Sequence, residues 1–449
     1  MKHATEIAAA VRARRTTATA VVDRCLSALA ADDNRLVAVT RVLAARARRE
    51  AALVDAAIAA GRDPGPLAGV PYGVKDLFDV AGLPTTAGSA LYAEAPPATT
   101  DAVAIQRLGA AGAVLVATLN MDEFAYGFAT INAVHGTTRN PHDPERIAGG
   151  SSGGSAAVVA AGLLPFTLGS DTNGSIRVPA SLTGIYGLKP THDALPMAGV
   201  FPFAKSFDDI GPFATSPRDL ALLWDVLRAG SGRSDTETNP VRVARLGGRF
   251  ALNLDPAQQA AIDAIAPDAP MVDLGDVARA RSAAFLITAF EGGAVHRAAF
   301  ARGDAMRFDP ATRDRLLAGA LLPNGLYDRA QAFRTAFKAA LTPVFAEHDI
   351  LIAPAAPCVA PTIADPWIVI DGERSPARRD LGVHSQPISF AGLPALAVPL
   401  RRPGQLPLGL QLIGRPGGER MLFRFAEMLE ERGLTGVCAP GEALQGDSR

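Results

Sequence analysis

Apolar positions recur at helical spacing in the first sixty residues of the chain. Behind Thr17, which can cap a helix, Val21, Cys25 and Leu29 follow one another at intervals of four residues. Residues four apart lie on one face of an α-helix, so this spacing is typical of a helix with one buried face. We therefore predict two helices between residues 5 and 60.

Helical and extended patterns alternate through the rest of the chain. Extended segments are predicted at 69–76, 113–117, 241–244, 271–274, 350–353, 395–399 and 409–413. Helices are predicted at 101–111, 217–229, 255–265, 276–302, 327–345 and 419–431. This alternation predicts an α/β fold with one central mixed β-sheet covered by helices on both faces. Because no linker, repeat or low-complexity tract interrupts the pattern, we predict a single domain.

Charge excludes several classes of partner. The 449 residues carry 44 Lys and Arg against 45 Asp and Glu, a net charge of −1. A protein that binds nucleic acid or anionic lipid normally shows a basic excess. The most apolar run, residues 156–168, is too short to span a bilayer. We therefore expect neither a nucleic-acid nor a membrane partner.

The cysteines and the N-terminus point to the cytoplasm. Cys25, Cys358 and Cys438 are far apart and odd in number, which favours a reducing compartment over a disulfide framework. Residues 1–6 lack the apolar run of a signal peptide. We therefore expect a cytoplasmic protein.

Metal and nucleotide chemistry lack their sequence signatures. The seven histidines form neither an HExxH motif nor an HxH pair, and no cysteine pair supplements them. The chain also lacks GxxxxGK[ST], and the glycine run at 149–154 is not GxGxxG. We therefore expect no metal and no cofactor.

Two serine-bearing, glycine-rich segments, 147–155 and 169–179, carry the candidate chemistry. Glycine tolerates positive φ and lets the backbone approach a ligand closely, so such turns can aim N–H groups at one reacting atom. A serine there can attack an acyl carbon while those N–H groups hold the oxyanion. The alternative is a pair of ordinary turns that flank a helix and a strand.

Two kinds of serine hydrolase fit these turns. Residues 150–154 match GxSxG, which would make Ser152 the nucleophile of an α/β-hydrolase. That motif should follow a strand, whereas residues 140–146 are predicted to be a loop. The mechanism also needs a histidine later in the chain, for which His384 is the candidate.

The second kind of serine hydrolase uses a lysine base. Lys75 lies among apolar neighbours, where burial can lower the ordinary lysine pKa of about 10.4.

Five segments together resemble the amidase signature family. They are Gly-Val-Pro-Tyr-Gly-Val-Lys-Asp (69–76), Asn-Met-Asp-Glu-Phe-Ala (120–125), Gly-Gly-Ser-Ser-Gly-Gly-Ser (149–155), Gly-Ser-Asp-Thr-Asn-Gly-Ser-Ile-Arg-Val-Pro-Ala (169–180) and Gly-Leu-Lys-Pro-Thr (187–191). The resemblance runs from the first helix to about residue 432. It implies one amidase domain, with an N-terminal helical segment (1–62), a catalytic core (63–230) and a segment of pocket helices and remaining strands (231–449).

The resemblance also implies the catalytic residues. In that family a Ser-cisSer-Lys group cleaves linear amides through an acyl-enzyme. The resemblance implies that Lys75 is the base, Ser151 the bridging serine and Ser175 the nucleophile. The backbone N–H groups of Thr172, Asn173, Gly174 and Ser175 would form the oxyanion hole. Asp171 and Arg177 are expected to be a structural pair near the site, and Ser155 and Ser170 to be helix-cap or turn hydroxyls.

Asn173 and three further segments (206–214, 308–323 and 385–394) resemble the branch of the family that hydrolyses 1-carboxybiuret and releases ammonia. This implies a small, carboxylated, urea-type amide substrate and a small helical partner subunit similar to the amidotransferase C subunit, with a homodimer core as a further expectation. The alternatives are a general or aryl amidase and a glutaminase-type amidotransferase A-like subunit. His192 and Asp193 depart from the Tyr-Gly-Arg common in relatives, which leaves the contribution of this loop to the pocket open.

A carboxylated substrate calls for a guanidinium, whose fork matches a carboxylate. Arg313 and Arg315 follow the predicted helix start at Asp309 and Pro310. The further candidates for substrate contacts are Tyr327, His384 and Gln386.

Overall fold

Seventeen β-strands are present in the computed structural model, which describes residues 3–32, 35–229 and 241–440. The strands are β1 (Val39–Val42), β2 (Pro71–Lys75), β3 (Val114–Leu119), β4 (Ile131–Asn132), β5 (Gly136–Thr137), β6 (Arg139–Asn140), β7 (Asp143–Ile147), β8 (Phe166–Asp171), β9 (Tyr186–Lys189), β10 (Asp209–Ala214), β11 (Val243–Leu246), β12 (Met271–Val272), β13 (Ile350–Pro354), β14 (Trp367–Ile370), β15 (Glu373–Pro376), β16 (Ala395–Pro399) and β17 (Gly409–Gly414).

Eleven of these strands form one sheet, in the order β1-β3-β2-β8-β10-β9-β16-β17-β13-β11-β12. Strand β2 runs parallel to β3 and β8, and β11 runs parallel to β12 and β13, whereas the other neighbours are antiparallel. The sheet is therefore mixed, which confirms the predicted fold class. Every residue of β2, β3, β8 and β17 is buried. Such strands need cover on both faces of the sheet.

Helices provide that cover. They are α1 (Ala4–Arg12), α2 (Ala18–Ala31), α3 (Ala44–Ala59), α4 (Val103–Ala110), α5 (Gly153–Ala160), α6 (Arg177–Thr183), α7 (Pro217–Arg228), α8 (Pro256–Ile265), α9 (Val277–Ala301), α10 (Pro310–Ala320), α11 (Asn324–Ala340), α12 (Thr342–Glu347), α13 (Ala377–Asp380), α14 (Gln386–Ala391) and α15 (Glu419–Glu431). The chain folds around the sheet as a single domain, as predicted.

The N-terminal prediction of two helices was wrong in number. The segment contains three helices, α1 to α3, and the edge strand β1, which pairs with β3. Thr17 does cap α2, because its hydroxyl accepts the N–H of Ala20 at 3.1 Å. Similarly, the single helix predicted at 327–345 is two helices, α11 and α12, and Pro343 lies in the first turn of α12. Proline is favoured at that position because its ring lacks the N–H that would be unpaired there.

The topology brings the two parts of the candidate site to one edge of the sheet. Strands β2 and β8 are parallel neighbours, and they end at Lys75 and Asp171 respectively. The carboxyl ends of parallel strands lie at the same sheet edge, so Lys75 lies near the loop that follows β8. Helix α5 begins just after Ser151 and Ser152 and packs against β8.

The proposed subdivision of the domain stays a prediction. Its first boundary, at residue 62, follows α3. Its second boundary, at residue 230, and the chain ends at 1–2 and 441–449 lie outside the described residues. Within the described ranges, none of the helices combines the length and apolarity needed to cross a bilayer.

Candidate active site

Lys75 ends β2 with its side chain fully enclosed, at 0 % exposure. Its Nζ lies 2.7 Å from Ser151 Oγ and 2.9 Å from Ser170 Oγ. Burial disfavours the ammonium form and lowers the pKa of Lys75 to about 7, although the charges of Asp122, Asp171 and Asp208 oppose this shift. The amine therefore has a pKa close to neutral pH and forms hydrogen bonds with two hydroxyl groups.

Close backbone packing holds Ser151 against Lys75. The peptide bond between Gly150 and Ser151 is cis. A Cβ on Gly150 would lie 2.3 Å from Asp122 Oδ2 and 2.4 Å from the amide nitrogen of Ala129. Asp122 in turn accepts the N–H groups of Ala129 and Thr130 at 3.1 and 2.8 Å. Only glycine leaves room for this loop to pack there, so residue 150 is fixed by space.

The loop after β8 is organised by a buried ion pair between Asp171 and Arg177. Both side chains are fully buried, and Arg177 Nη2 lies 2.9 Å from Asp171 Oδ1. Burial alone would raise the pKa of Asp171, but the charge and hydrogen bonds of Arg177 outweigh it and hold that pKa below its ordinary value. Arg177 also donates to the carbonyl of Ser385 and to Gln411 Oε1, both at 3.0 Å. This pair therefore ties the loop to the segments around α14 and β17.

Asp171 also accepts an amide that we predicted for the oxyanion hole. The N–H of Gly174 donates to Asp171 Oδ1 at 2.6 Å, so it is already engaged. The predicted donors that remain are the amides of Thr172, Asn173 and Ser175. Gly174 has a φ of +135°, and a Cβ there would lie 2.0 Å from Ser385 Oγ. Glycine is thus required at this position by both conformation and space.

A cavity opens next to this loop, and Ser175 lines it. Aromatic side chains form part of its wall: Tyr126, Phe128, Phe203 and Phe285. Its polar lining comprises Thr172, Asn173, Ser175, Thr288, Arg315, Arg378 and Gln386. A small apolar pocket with a few convergent polar groups is typical of a ligand site.

Two of the five predicted substrate contacts line the cavity. Arg315 stacks on the ring of Tyr126, with its guanidinium carbon 3.5 Å from the ring centroid, and Nη1 donates to the Tyr126 carbonyl at 3.0 Å. Burial lowers the pKa of Arg315. Gln386 accepts a hydrogen bond from Arg281 Nε at 2.8 Å.

The other three predicted contacts are placed elsewhere. Arg313 pairs with the neighbouring Asp314 at 2.7 Å. Tyr327 donates its hydroxyl to Glu291 at 2.8 Å. His384 is fully buried, with Nε2 2.8 Å from the carbonyl of Leu252, and burial lowers its pKa to about 4. The structure does not bring these three side chains to the cavity.

Sequence reasoning missed two side chains. Ser170, expected to be a turn hydroxyl, is a hydrogen-bond partner of Lys75. Arg378 lines the cavity, whereas the adjacent Arg379 is half exposed and pairs with Asp380. The sequence shows the Arg-Arg pair but not which of the two points inward. Ser155 donates to the carbonyl of Leu168, which fastens α5 to β8.

The loop that departs from the common pattern does not line this cavity. His192 Nδ1 lies 3.1 Å from Asp209 Oδ1, and Asp193 is exposed. Among the described residues, no group of three or more His, Cys, Asp or Glu side chains is arranged to hold a metal ion.

Comparison with known sequences identifies the family. The profile of the family described as Amidase matches residues 20–246 and 271–423. The chain belongs to the amidase family. It is an enzyme that hydrolyses amide C–N bonds.

Individual relatives cover almost the whole amidase. AtzE of Pseudomonas sp. (strain ADP), which is a 1-carboxybiuret hydrolase subunit, is 45 % identical, over 96 % of this chain and 98 % of its own. The A subunit of glutamyl-tRNA(Gln) amidotransferase from Chloroflexus aurantiacus (strain ATCC 29366 / DSM 635 / J-10-fl) is 37 % identical, over 93 % of this chain and 94 % of its own. A solved structure of a vestigial protein complex, described as revealing the evolutionary origins of an s-triazine catabolic enzyme, aligns with a TM-score of 0.92 and 43 % identity, over 98 % of this chain and 100 % of that one.

The α/β-hydrolase alternative requires a histidine beside Ser152, and none of the hydrogen bonds of Ser152 within the described residues involves one. The Ser152 hydroxyl donates to the carbonyl of Ser170 at 3.0 Å. A serine–histidine mechanism needs an imidazole within hydrogen-bond reach of the nucleophile. The histidine considered for that role, His384, lies with its Nε2 2.8 Å from the carbonyl of Leu252 instead. Ser152 therefore fastens the loop before α5 to β8.

Replacing Asp171 with asparagine should destabilise the amidase strongly. The substitution leaves the buried guanidinium of Arg177 without its counter-charge, which costs about 3–5 kcal/mol in comparable buried pairs. Chemical denaturation should show this loss in the free energy of unfolding. Asp365→Asn is the matched control, because it breaks the exposed pair with Arg374 and should cost less than about 1 kcal/mol. Equal effects of the two substitutions would contradict the assigned role.

Proposed function

We propose that this amidase hydrolyses a small, carboxylated, urea-type amide such as 1-carboxybiuret and releases ammonia through an acyl-enzyme on Ser175. The observation that carries the proposal is the enclosed Lys75 amine, 2.7 Å from Ser151 Oγ. The strand that ends at Lys75 is the parallel neighbour of β8, and Ser175, in the loop after β8, lines a cavity together with Arg315. An amine must be neutral to accept a hydroxyl proton, and burial favours the neutral form of Lys75.

The proton moves through two hydroxyl groups in this proposal. Neutral Lys75 accepts the proton of Ser151, Ser151 accepts the proton of Ser175, and Ser175 Oγ attacks the amide carbon. The return of the proton to the leaving nitrogen releases ammonia and leaves the acyl group on Ser175. A water molecule, deprotonated through Ser151 and Lys75 in the same way, then attacks the acyl carbon and cleaves the ester. The proton returns to Ser175, which restores both serines and the neutral lysine.

The oxyanion is held by backbone amides of the loop after β8. Because Gly174 donates to Asp171, the donors proposed here are Thr172, Asn173 and Ser175. The Asp171–Arg177 pair fixes this loop before substrate arrives, so little reorganisation is needed as charge develops.

Two features favour a carboxylated, urea-type substrate. The relative from Pseudomonas is a 1-carboxybiuret hydrolase subunit. In addition, Arg315 contributes a partly buried guanidinium to the lining of the cavity. A guanidinium binds a carboxylate through two parallel hydrogen bonds. The substrate carboxylate is therefore assigned to Arg315.

A partner subunit belongs to the same proposal. Two relatives are named as subunits, and the similar solved structure comes from a protein complex. We propose a small helical partner similar to the amidotransferase C subunit, bound to a homodimer of this chain. Co-expression followed by measurement of the native mass tests both parts.

A glutaminase-type subunit is the second candidate, favoured by the relatives named as A subunits of glutamyl-tRNA(Gln) amidotransferase. In that case glutamine would be the amide, and the ammonia would pass to a second active site.

Three single substitutions test the catalytic assignment. Ser175→Ala should abolish turnover, and Lys75→Ala should nearly abolish it, because one removes the nucleophile and the other its base. Ser152→Ala is the control and should keep most of the activity, since its hydroxyl only bonds to the backbone. The readout is ammonia release by protein of unchanged thermal stability. Loss of activity in Ser152→Ala together with survival of Ser175→Ala would reverse the assignment.

The pH profile tests the protonation state of Lys75. Because the amine must be neutral to accept a proton, kcat/KM should rise about tenfold per pH unit below the pKa and level off above about pH 7. Lys205→Gln, at an exposed lysine, should leave the midpoint unchanged. A profile that keeps rising toward pH 10, as for an ordinary lysine, would contradict the buried-amine account.

A substrate screen tests the specificity. Purified protein, with and without its co-expressed partner, is assayed for ammonia release from 1-carboxybiuret, biuret, allophanate, glutamine and simple aryl amides. We expect 1-carboxybiuret to have the highest kcat/KM, and Arg315→Ala to raise KM for carboxylated substrates far more than for neutral amides. Preference for glutamine would support the second candidate, and preference for aryl amides would make the chain a general amidase.

A further inference from the structure

The cavity beside Ser175 contains a second guanidinium besides that of Arg315. Arg378 lies in the short helix α13 and lines the same cavity. Its carbonyl accepts the N–H of Phe128 at 3.1 Å, which fixes α13 against the loop that forms the aromatic wall. This guanidinium has no role in the catalytic scheme above.

A hydrogen bond aims the Arg378 side chain toward Arg315. Arg378 Nη2 donates to Thr312 Oγ1 at 3.1 Å. Thr312 and Arg315 are three residues apart on α10, so they share one face of that helix. The two guanidinium groups therefore lie near each other, and the charge of Arg378 contributes to the lowered pKa of Arg315.

The position of α10 is itself set by tight packing. Gly319 of α10 touches α9, where an added Cβ would lie only 1.9 Å from the carbonyl oxygen of Ala289. Glycine at 319 therefore lets α10 pack closely against α9, and this packing places Thr312 and Arg315 beside Arg378.

Neither guanidinium has a carboxylate partner within the part of the chain that the structure describes. Arg378 Nε is enclosed and makes no hydrogen bond there. The nearby carboxylates already have other hydrogen-bond or ion-pair partners. Asp122 accepts backbone N–H groups of the loop at 129–131, and Asp380 pairs with Arg281 and Arg379. Two adjacent positive charges without a counter-ion repel each other, and an anion in the cavity would relieve that repulsion.

We propose that Arg378 is a second carboxylate-binding residue, which together with Arg315 selects anionic over neutral amides in the cavity of Ser175. This inference rests on the proposed function in taking that cavity as the substrate site. One guanidinium can bind a carboxylate through two parallel bonds, and a second can bind the remaining lone pairs. A neutral amide would instead leave two like charges facing each other, so the pair also acts against uncharged substrates.

The test measures binding without turnover. Calorimetry on Ser175→Ala protein compares N-carbamoylglycinate, a stable carboxylated urea, with propylurea, a neutral urea of similar size. Adding Arg378→Gln should weaken N-carbamoylglycinate binding about ten- to a hundredfold and change propylurea binding about twofold or less. Arg378→Lys keeps the charge but loses the fork, and should give an intermediate loss. Arg374→Gln, at an exposed arginine four residues earlier, is the matched control and should have no effect.

Two results would overturn the proposal. One is unchanged N-carbamoylglycinate affinity in the Arg378→Gln protein with an unchanged melting temperature, and the other is no binding of this ligand to the Ser175→Ala protein at all. The outcome is separable from that of the proposed function. If no amide releases ammonia but carboxylate binding depends on Arg378, the anion site stands and the catalytic proposal fails. If ammonia release is normal and Arg378→Gln has no effect, only Arg378 is removed from the site.

Discussion

The whole site depends on keeping water away from one amine. The Lys75 side chain ends a strand that is buried along its full length, and its hydrogen-bond partners are the hydroxyls of Ser151 and Ser170. Desolvation lowers its pKa more than the surrounding carboxylates raise it. If the amine were hydrated, it would be an ammonium ion at neutral pH and could accept no proton.

A second buried lysine shows how specific that environment is. Lys189 ends β9 and is as enclosed as Lys75, but its Nζ lies 2.7 Å from Asp209 Oδ2 and donates to the carbonyls of Pro190 and Leu393. The partners of Lys189 are thus a carboxylate and two carbonyls, whereas those of Lys75 are hydroxyl groups. Asp209 lies opposite Asp171 in the antiparallel pairing of β10 and β8. The two aspartates thus serve different partners, Lys189 and Arg177, and neither forms an ion pair with Lys75 among the described residues.

Much of this arrangement can be predicted from the sequence, because it depends on local patterns. Alternating helical and extended segments gave the α/β class, and Thr17 could be recognised as a cap. An apolar neighbourhood indicated that Lys75 is buried. The glycine-rich turns indicated close backbone approaches at Gly150 and Gly174. In the structure, a Cβ added at either position would clash with a neighbouring atom.

Side-chain direction across the fold could not be predicted in the same way. Arg313 and Arg315 are two residues apart on α10, so they point to different sides of the helix, and only packing against α9 decides which faces the cavity. Similarly, Arg378 and Arg379 are adjacent, but only Arg378 is aimed inward, by Thr312. The partner of Ser170 comes from a strand almost a hundred residues earlier in the chain, which no local pattern reveals.

The most direct test of the central claim is the pKa of the Lys75 amine itself. The chain contains five lysines, so carbon-13 NMR of protein labelled at lysine Cε gives few signals, and loss of one signal in Lys75→Met assigns it. Our account predicts that this signal titrates with a midpoint of about 7. A midpoint near the ordinary lysine value of about 10.4 would contradict the account, because the amine would then be charged whenever the enzyme is at neutral pH.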